Sequence, residues 1–335
     1  MSTYFELLTR PGYSRLAEAR DFSSLMLERL RASLSSNKQH LDALDCISVA
    51  GSLSRLEAHP DSDIDLVMIA KADATLQAVD DAAGLAMELI QPIGLRLPKP
   101  DGIYGRPLDP GQLFHVRNRG VIAQPARIFG SRMHLLIDAR AVYQADRLVE
   151  MQGRAVEWFT TGQPGTADRF GYLNNELLRY MHGYRAWQRF KLSRSKDDSW
   201  ALRQAKFFGS RLLIFVGLLL LIERAREHPE GLVWLRDRLE LTPMERLALA
   251  LGGPDTDEFL SVLEQHHVIF ERLCDPQVRA DLLVCGPDDS RPRGGLSAGA
   301  RELLAAGHEL QTRLARAIVA RSPQSAAAFV AQCLC

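Results

Sequence analysis

Strand-like and helix-like periodicities alternate over roughly the first 150 residues, whereas the rest of the chain carries helical periodicity alone. That asymmetry limits the fold to one in which helices are segregated from a small sheet. Three early segments read as strands: "DCISVAGS", "DIDLVMIA" and "PIGLRL". Around them, apolar spacing predicts helices over about residues 12 to 34 and within "ADATLQAVDDAAGLAMELI". The segment "SRMHLLIDARAVYQAD" reads as a strand or buried turn leading into a helix. Beyond residue 150, "NNELLRYMHGYRAWQRFKL", "WALRQAKFFGSRLLIFVGLLLLIERA", "TPMERLALAL", "DEFLSVLEQHHVIFERL" and "SAGARELLAAGHELQTRLARAIVA" are all helical in pattern. The expectation is an α+β chain: a small mixed-sheet domain over residues 1–150, then an all-helical domain over 151–335.

Charge narrows the function classes. Lysine plus arginine (41) balances aspartate plus glutamate (41), so no global field favours nucleic acid or membrane, and recognition must come from local clusters. The cysteines lack metal-ligand spacing, which fits reduced thiols in a cytoplasmic protein. The N-terminal segment has no basic flank before an apolar core. The apolar run "LLIFVGLLLLI" (212–222) is too short by itself to span a bilayer and reads as a buried helix.

The chemistry concentrates in "GSLSRLEAHPDSDIDLVMIA", residues 51–70. Asp63 and Asp65, one residue apart on an extended segment, point the same way and repel each other unless a cation lies between them. Hard carboxylate oxygens favour Mg2+ or Mn2+, which normally bring substrate phosphates with them. Gly51 and Ser52, at the preceding strand end, offer a close, side-chain-poor approach and backbone donors for those phosphates. Asp63 and Asp65 are therefore candidate metal ligands and catalytic residues, with Gly51 and Ser52 as nucleotide contacts. Arg55 either touches a phosphate or stands as an exposed loop arginine.

"GSLSR" followed by "SDIDL" resembles the signature of the nucleotidyltransferase superfamily of DNA polymerase β type. The resemblance implies attack of an acceptor hydroxyl on the α-phosphate of a nucleoside triphosphate, with loss of pyrophosphate and two metal ions stabilising the reacting oxygens. "LLIDARAVYQADRL" is similar to a segment of bacterial proteins related to the protein uridylyltransferases. The helical half resembles a bacterial branch of nucleotidyltransferase-like proteins. Superfamily members generally add a third carboxylate from the next strand. "PIGLRLPKP" resembles "VDLRLRP" of the glutamine synthetase adenylyltransferases, and there Gly94 stands where the aspartate would be. Asp101 or Asp138 could supply the missing group, although Asp138 in its apolar run reads rather as a brace.

Between Asp168 and Arg211 ten lysines or arginines face four acidic residues. Within that stretch Arg203, Lys206 and Ser210 share helical spacing. In the resembling superfamily a helix of the second domain supplies a lysine and a hydroxyl to the β- and γ-phosphates, which assigns those roles to Lys206 and Ser210. A solvated basic stripe is the alternative. Arg179, Tyr180 and Arg211 are weaker candidates; His266 and His267 read as structural, and Trp187 and Trp200 as packing anchors. The Pro/Gly-rich loop from Pro98 to Gly111 is either a lid or a passive connection. The expected partners are a nucleoside triphosphate and an acceptor that is a protein, a small molecule or an RNA end. The competing expectation is a catalytically weakened fold that senses nucleotide.

Overall fold

A computed structural model describes residues 3–98, 105–162, 168–190, 199–284 and 296–321. In chain order the elements are α1 (Tyr4–Leu7), α2 (Ser14–Ser36), β1 (Leu44–Ala50), α3 (Gly51–Ser54), β2 (Asp65–Ala70), α4 (Leu76–Ile90), α5 (Pro110–Leu113), α6 (Ala126–Ile137), β3 (Arg140–Tyr143) and α7 (Ala145–Thr160). There follow α8 (Gly171–Phe190), α9 (Trp200–Lys206), α10 (Leu212–Glu227), α11 (Gly231–Arg236), α12 (Pro243–Ala250), α13 (Asp257–Cys274), α14 (Pro276–Leu283) and α15 (Ala298–Arg321). The chain is thus a mixed α/β protein, mostly helical, with a small antiparallel sheet. It forms two compact units: Glu18–Leu173 with His228–Thr242, and Met1–Ala17 with Asn174–Glu227 and Pro243–Cys335. The sequence division at residue 150 falls inside α7.

The sheet of the first unit has the order β2-β1-β3, with both neighbours antiparallel to the central β1. β1 is buried along its whole length, as its nearly continuous apolar composition requires of a strand covered on both faces. Its residues Ile47 and Val49 join Leu66 and Met68 of β2, Val142 of β3, and Leu27, Leu30 and Leu34 of α2 in one core. α4 completes this layer. Thr75 caps it by accepting the Ala78 N–H at 3.3 Å, and Val79, Ala82, Ala83, Ala86 and Ile90 recur at helical spacing on its buried face. Truncating a side chain such as Leu30, which has no exposed surface, would cost about 2–5 kcal/mol.

One strand expectation needs correction, and another is met in part: in "SRMHLLIDARAVYQAD" a strand does lead into a helix, but the residues before that strand are themselves helical. "PIGLRL" is not a strand: Gln91–Ile93 form a 3-10 turn that Gly94 ends at φ 91°, a left-handed conformation natural to glycine. Only Arg96 then meets the sheet edge, in an isolated bridge with Asp63. The third strand is instead "RAVY", β3, after a full helix α6 in a segment that reads from sequence as strand or turn. The apolar residues of "MHLLI" are buried on all sides of α6, which erases the amphipathic signal that identifies a helix.

α6 is held rigidly. Arg132 is fully buried; its Nε donates to the Leu113 carbonyl at 2.8 Å, its Nη1 to Gln124 Oε1 at 3.1 Å, and its guanidinium lies 3.8 Å from the Trp158 ring centre. From α7, Gln152 Nε2 donates to the Leu135 carbonyl at 2.9 Å.

In the helical unit, Leu212 to Ile222 are buried, as the apolar run predicts. Together with α9 and the intervening turn they form a helical run, Trp200–Glu227, long and apolar enough by length and composition to cross a membrane; most of it is buried inside the protein. Gly217 lets α10 approach α12: a Cβ there would lie 3.0 Å from the Pro243 carbonyl oxygen. Between α9 and α10, Phe207–Arg211 form a π-helical turn in which Gly209 departs from helical angles (φ −92°, ψ −126°).

Candidate functional site

The topology of the sheet assembles the site. Because both neighbours run antiparallel to β1, the end of β1 lies beside the starts of β2 and β3. Ala50 pairs with Asp65, and Val49 with Arg140. Gly51, Asp65 and the corner before β3 therefore meet at one end of the sheet, although nearly ninety residues separate the first from the last.

At that end the chain turns sharply from β1 into the single helical turn α3. Gly51 enters it at φ +74°, and a Cβ on Gly51 would lie 2.6 Å from Asp65 Oδ2. Glycine is required twice over, by conformation and by the carboxylate packed against its Cα. Asp65 opens β2, while Asp63 lies just outside the strand in the bridge to Arg96 and is exposed. Ile64 between them is buried, and its N–H donates to the Arg96 carbonyl at 2.9 Å. Asp63 and Asp65 thus keep the alternation expected of them, with the strand itself starting two residues later than the pattern suggests.

Burial and the neighbouring Asp63 carboxylate push the Asp65 carboxyl up to about 7, Asp138 adds to the rise, and the charges of His134 and Arg55 oppose it. The Asp65 carboxylate against a bare glycine Cα, with the exposed Asp63 carboxylate two residues before it, offers hard oxygen ligands of the kind a divalent cation takes together with water and phosphate oxygens. Among the described residues no three His, Cys, Asp or Glu side chains converge as a ligand group. Asp63 and Asp65 are the residues that would hold Mg2+ or Mn2+.

Asp138 occupies the floor of the site, its side chain only 1% exposed. Its Oδ2 accepts the Gly51 N–H at 3.0 Å and Arg55 Nη1 at 3.3 Å. Its Oδ1 lies 2.7 Å from His134 Nδ1, one helical turn back on α6. Burial works against the charge, but His134, Arg55 and the Gly51 N–H outweigh it and hold the carboxyl below its ordinary range. With both oxygens engaged by donors, Asp138 braces the turn. The Gly51 N–H, expected to face phosphate, is used internally instead. Arg55 is likewise no exposed loop residue: its side chain is 10% exposed and its Nε binds Glu57 Oε2 at 3.0 Å. Ser52 is partly buried, and its carbonyl accepts the Glu57 N–H at 2.9 Å.

Gly51, Ser52, Arg55, Asp63 and Asp65 thus belong to one sheet end, whereas Arg203, Lys206 and Ser210 belong to the other unit. Arg203 is buried, its Nε donating to the Gln188 carbonyl at 2.9 Å, which makes it a helix–helix tie. Lys206 and Ser210 are partly exposed, but the π turn at Phe207–Arg211 interrupts the regular helical face on which their spacing places them. Arg179 pairs with Glu176 at 2.6 Å, and Tyr180 packs against Tyr184 and Phe215. The Arg211 guanidinium lies 5.7 Å from the Tyr184 ring centre. Trp200 packs beside the cluster of Leu202, Ala205 and Leu303, as an anchor should, but Trp187 is 53% exposed. His266 is fully buried near Phe270, and His267 lies edge-on to Tyr13. Asp101 lies outside the described residues.

Sequence reasoning passes over His134, Glu57 and Arg140. His134 and Asp138 carry a legible signal, an i,i+4 spacing of imidazole and carboxylate, but only once the segment is known to be helical. Arg140 reaches the same turn, its Nε donating to the Ser54 carbonyl at 3.0 Å. No protein-family model matches the chain, and no curated protein is found to match it.

Proposed function

We propose that the protein is a metal-dependent nucleotidyltransferase of the DNA polymerase β type, which passes a nucleoside monophosphate from a triphosphate to an acceptor hydroxyl and releases pyrophosphate. The observation that carries this reading is the Gly51 corner: a left-handed glycine pressed against the Asp65 carboxylate, with Asp63 beside it, at the end of a buried central strand. A purely structural sheet end has no need of a buried carboxylate, lifted to about 7 by its burial and then by a second carboxylate beside it. When bound between them, Mg2+ would neutralise phosphate charge and lower the energy of the attacking and leaving oxygens. The chain's own part is positional. Asp63 and Asp65 hold the cation from the β2 side, and Gly51 leaves room for the Asp65 carboxylate at the turn. Ser52 offers a hydroxyl, and Arg55, tied to Asp138 and Glu57, adds fixed positive charge to the wall of the site. Lys206 and Ser210 of the helical unit remain phosphate-binding candidates on the resemblance alone. The acceptor hydroxyl belongs to a protein, a small molecule or an RNA end.

A specific observation favours a second reading. Gly94 stands where a third carboxylate is expected, and Asp138 is committed to Gly51, Arg55 and His134. A nucleotide-binding sensor of weakened activity would look the same. Pyrophosphate release from each ribonucleoside triphosphate, with Mg2+ or Mn2+ and cell extract as acceptor source, separates the two. Release lost in Asp63→Asn/Asp65→Asn supports the enzyme. A metal-dependent thermal shift with a triphosphate, without release, overturns it in favour of the sensor.

A further inference from the structure

The single turn Gly51–Ser54 has too few residues to hold its own conformation, because one helical turn fixes several torsions for a single internal hydrogen bond. Its conformation must be imposed from outside. Both ends are gripped by one short corner of the chain, the link between α6 and β3. At the first residue, Asp138 Oδ2 accepts the Gly51 N–H at 3.0 Å. At the last, Arg140 Nε donates to the Ser54 carbonyl at 3.0 Å. The corner is itself immobilised: Asp138 by His134 at 2.7 Å on one side, and Arg140 by strand pairing with Val49 and by donation to the Glu240 carbonyl at 3.3 Å. A third contact, Arg55 Nη1 to Asp138 Oδ2 at 3.3 Å, extends the grip one residue beyond the turn.

We infer that Asp138 and Arg140 are positioning residues that clamp the Gly51–Ser54 turn, and thereby set where Ser52 and Arg55 meet the phosphates of the nucleotide. Asp138 does not serve as the third carboxylate that Gly94 leaves missing; its work is to hold the turn. The inference rests on the nucleotidyltransferase reading for its ligand. It makes a separable demand, because Asp63 and Asp65 are carried by the β2 side and not by the turn. Loosening the clamp weakens triphosphate binding while leaving the cation's own affinity in place.

Arg140→Gln and Arg140→Lys, together with Asp138→Asn, test this in the full chain. Mn2+ affinity is read by paramagnetic resonance of the free ion, Mn2+-dependent ATP and UTP affinity by titration, and amide hydrogen exchange over residues 51–55 by mass spectrometry, all well below the melting temperature. Arg140→Gln should weaken triphosphate binding about tenfold, the loss of one charge-assisted hydrogen bond, and speed exchange over 51–55. Mn2+ affinity should stay within about twofold, and Arg140→Lys, which still donates to the Ser54 carbonyl, should recover most of the loss. A folded Arg140→Gln with wild-type triphosphate affinity overturns the inference, as does an equal loss of Mn2+ and triphosphate. If the wild type binds no triphosphate, the nucleotidyltransferase reading fails, and exchange alone decides the clamp: faster over 51–55 upholds it, unchanged refutes it. Asp138→Asn serves as the second variant; should it fail to fold, the Arg140 pair carries the test.

Discussion

Replacing Asp65 by asparagine should make the metal-free protein more stable at pH 8. Most substitutions at a partly buried polar position destabilise by about 1 kcal/mol, so the sign itself is diagnostic. Burial first, and the Asp63 carboxylate second, lift the Asp65 carboxyl from 3.8 to about 7 in the folded protein. A group whose folded value is raised binds its proton more tightly in the native state. Its contribution is fully present below its unfolded value and is lost as pH rises through about 7. A displacement of roughly three pH units, at about 1.4 kcal/mol each, sets a ceiling of about 4 kcal/mol on what ionising Asp65 costs at pH 8. Water reaching the half-buried side chain lowers the realised figure to about 1–3 kcal/mol. Urea unfolding of wild type and Asp65→Asn at intervals from pH 4 to pH 8.5 measures the difference. The variant should gain over the wild type as pH rises through 7, and the two should converge near pH 4. On the nucleotidyltransferase reading, millimolar Mg2+ or Mn2+ at pH 8 should restore the wild type and leave Asp65→Asn unmoved, because that reading places the cation on the pair of carboxylates. A variant that is less stable at every pH, or a difference that ignores pH, refutes the reasoning.

Gly51→Ala should lose about 2–3 kcal/mol, since alanine at φ +74° is strained and its Cβ meets Asp65 Oδ2 at 2.6 Å. Adding Asp65→Ala should recover part of that loss in a thermal-denaturation double-mutant cycle, whereas simple additivity would contradict the contact. In the helical unit, Gly209→Ala places a Cβ 2.9 Å from Ile269 Cγ2 within the π turn and should lower stability by about 1–3 kcal/mol. Gly183→Ala, in α8 with open space around the added methyl, should raise it by about 0.5–1 kcal/mol; calorimetry of the pair checks both. Cys46 has no exposed surface, and burial, with Asp45 adding to it, pushes its thiol up to about 12. Iodoacetamide at pH 8 should therefore leave Cys46 unlabelled in the folded protein and alkylate it only in denaturant, as peptide mass spectrometry will show.

The strands and helices with clean periodicity are legible in the sequence. β1 and β2 declare themselves by continuous apolar runs, α4 by its spaced alanines and leucines, and the turn at Gly51 by a glycine at the end of an apolar run. What escapes the sequence is burial on every side. The apolar residues of α6 are enclosed all round, so "MHLLI" loses the period that marks a helix, and β3 behind it is only four residues long. "PIGLRL" has strand composition, yet Pro92 and Gly94 close a 3-10 turn and leave one bridging residue. Asp138 reads as a brace from its apolar neighbours, but its partners Gly51 and Arg55 come from more than eighty residues away and cannot be deduced from spacing. Trp187, which reads as an anchor, is more than half exposed because its position on α8 faces away from the buried stripe.

The placement of β3 also bears on how the protein acquires its shape during synthesis. β1 and β2 are near neighbours in the chain and can pair as soon as residue 70 emerges, but the corner that fixes the Gly51 turn arrives some seventy residues later. Closing so long a segment carries an entropic cost that local pairing does not, so the docking of β3 comes late. A nascent chain can therefore hold much of its hydrophobic core while the Gly51 end of the sheet is still unformed, and that end takes its final geometry only after the sheet's third strand has joined.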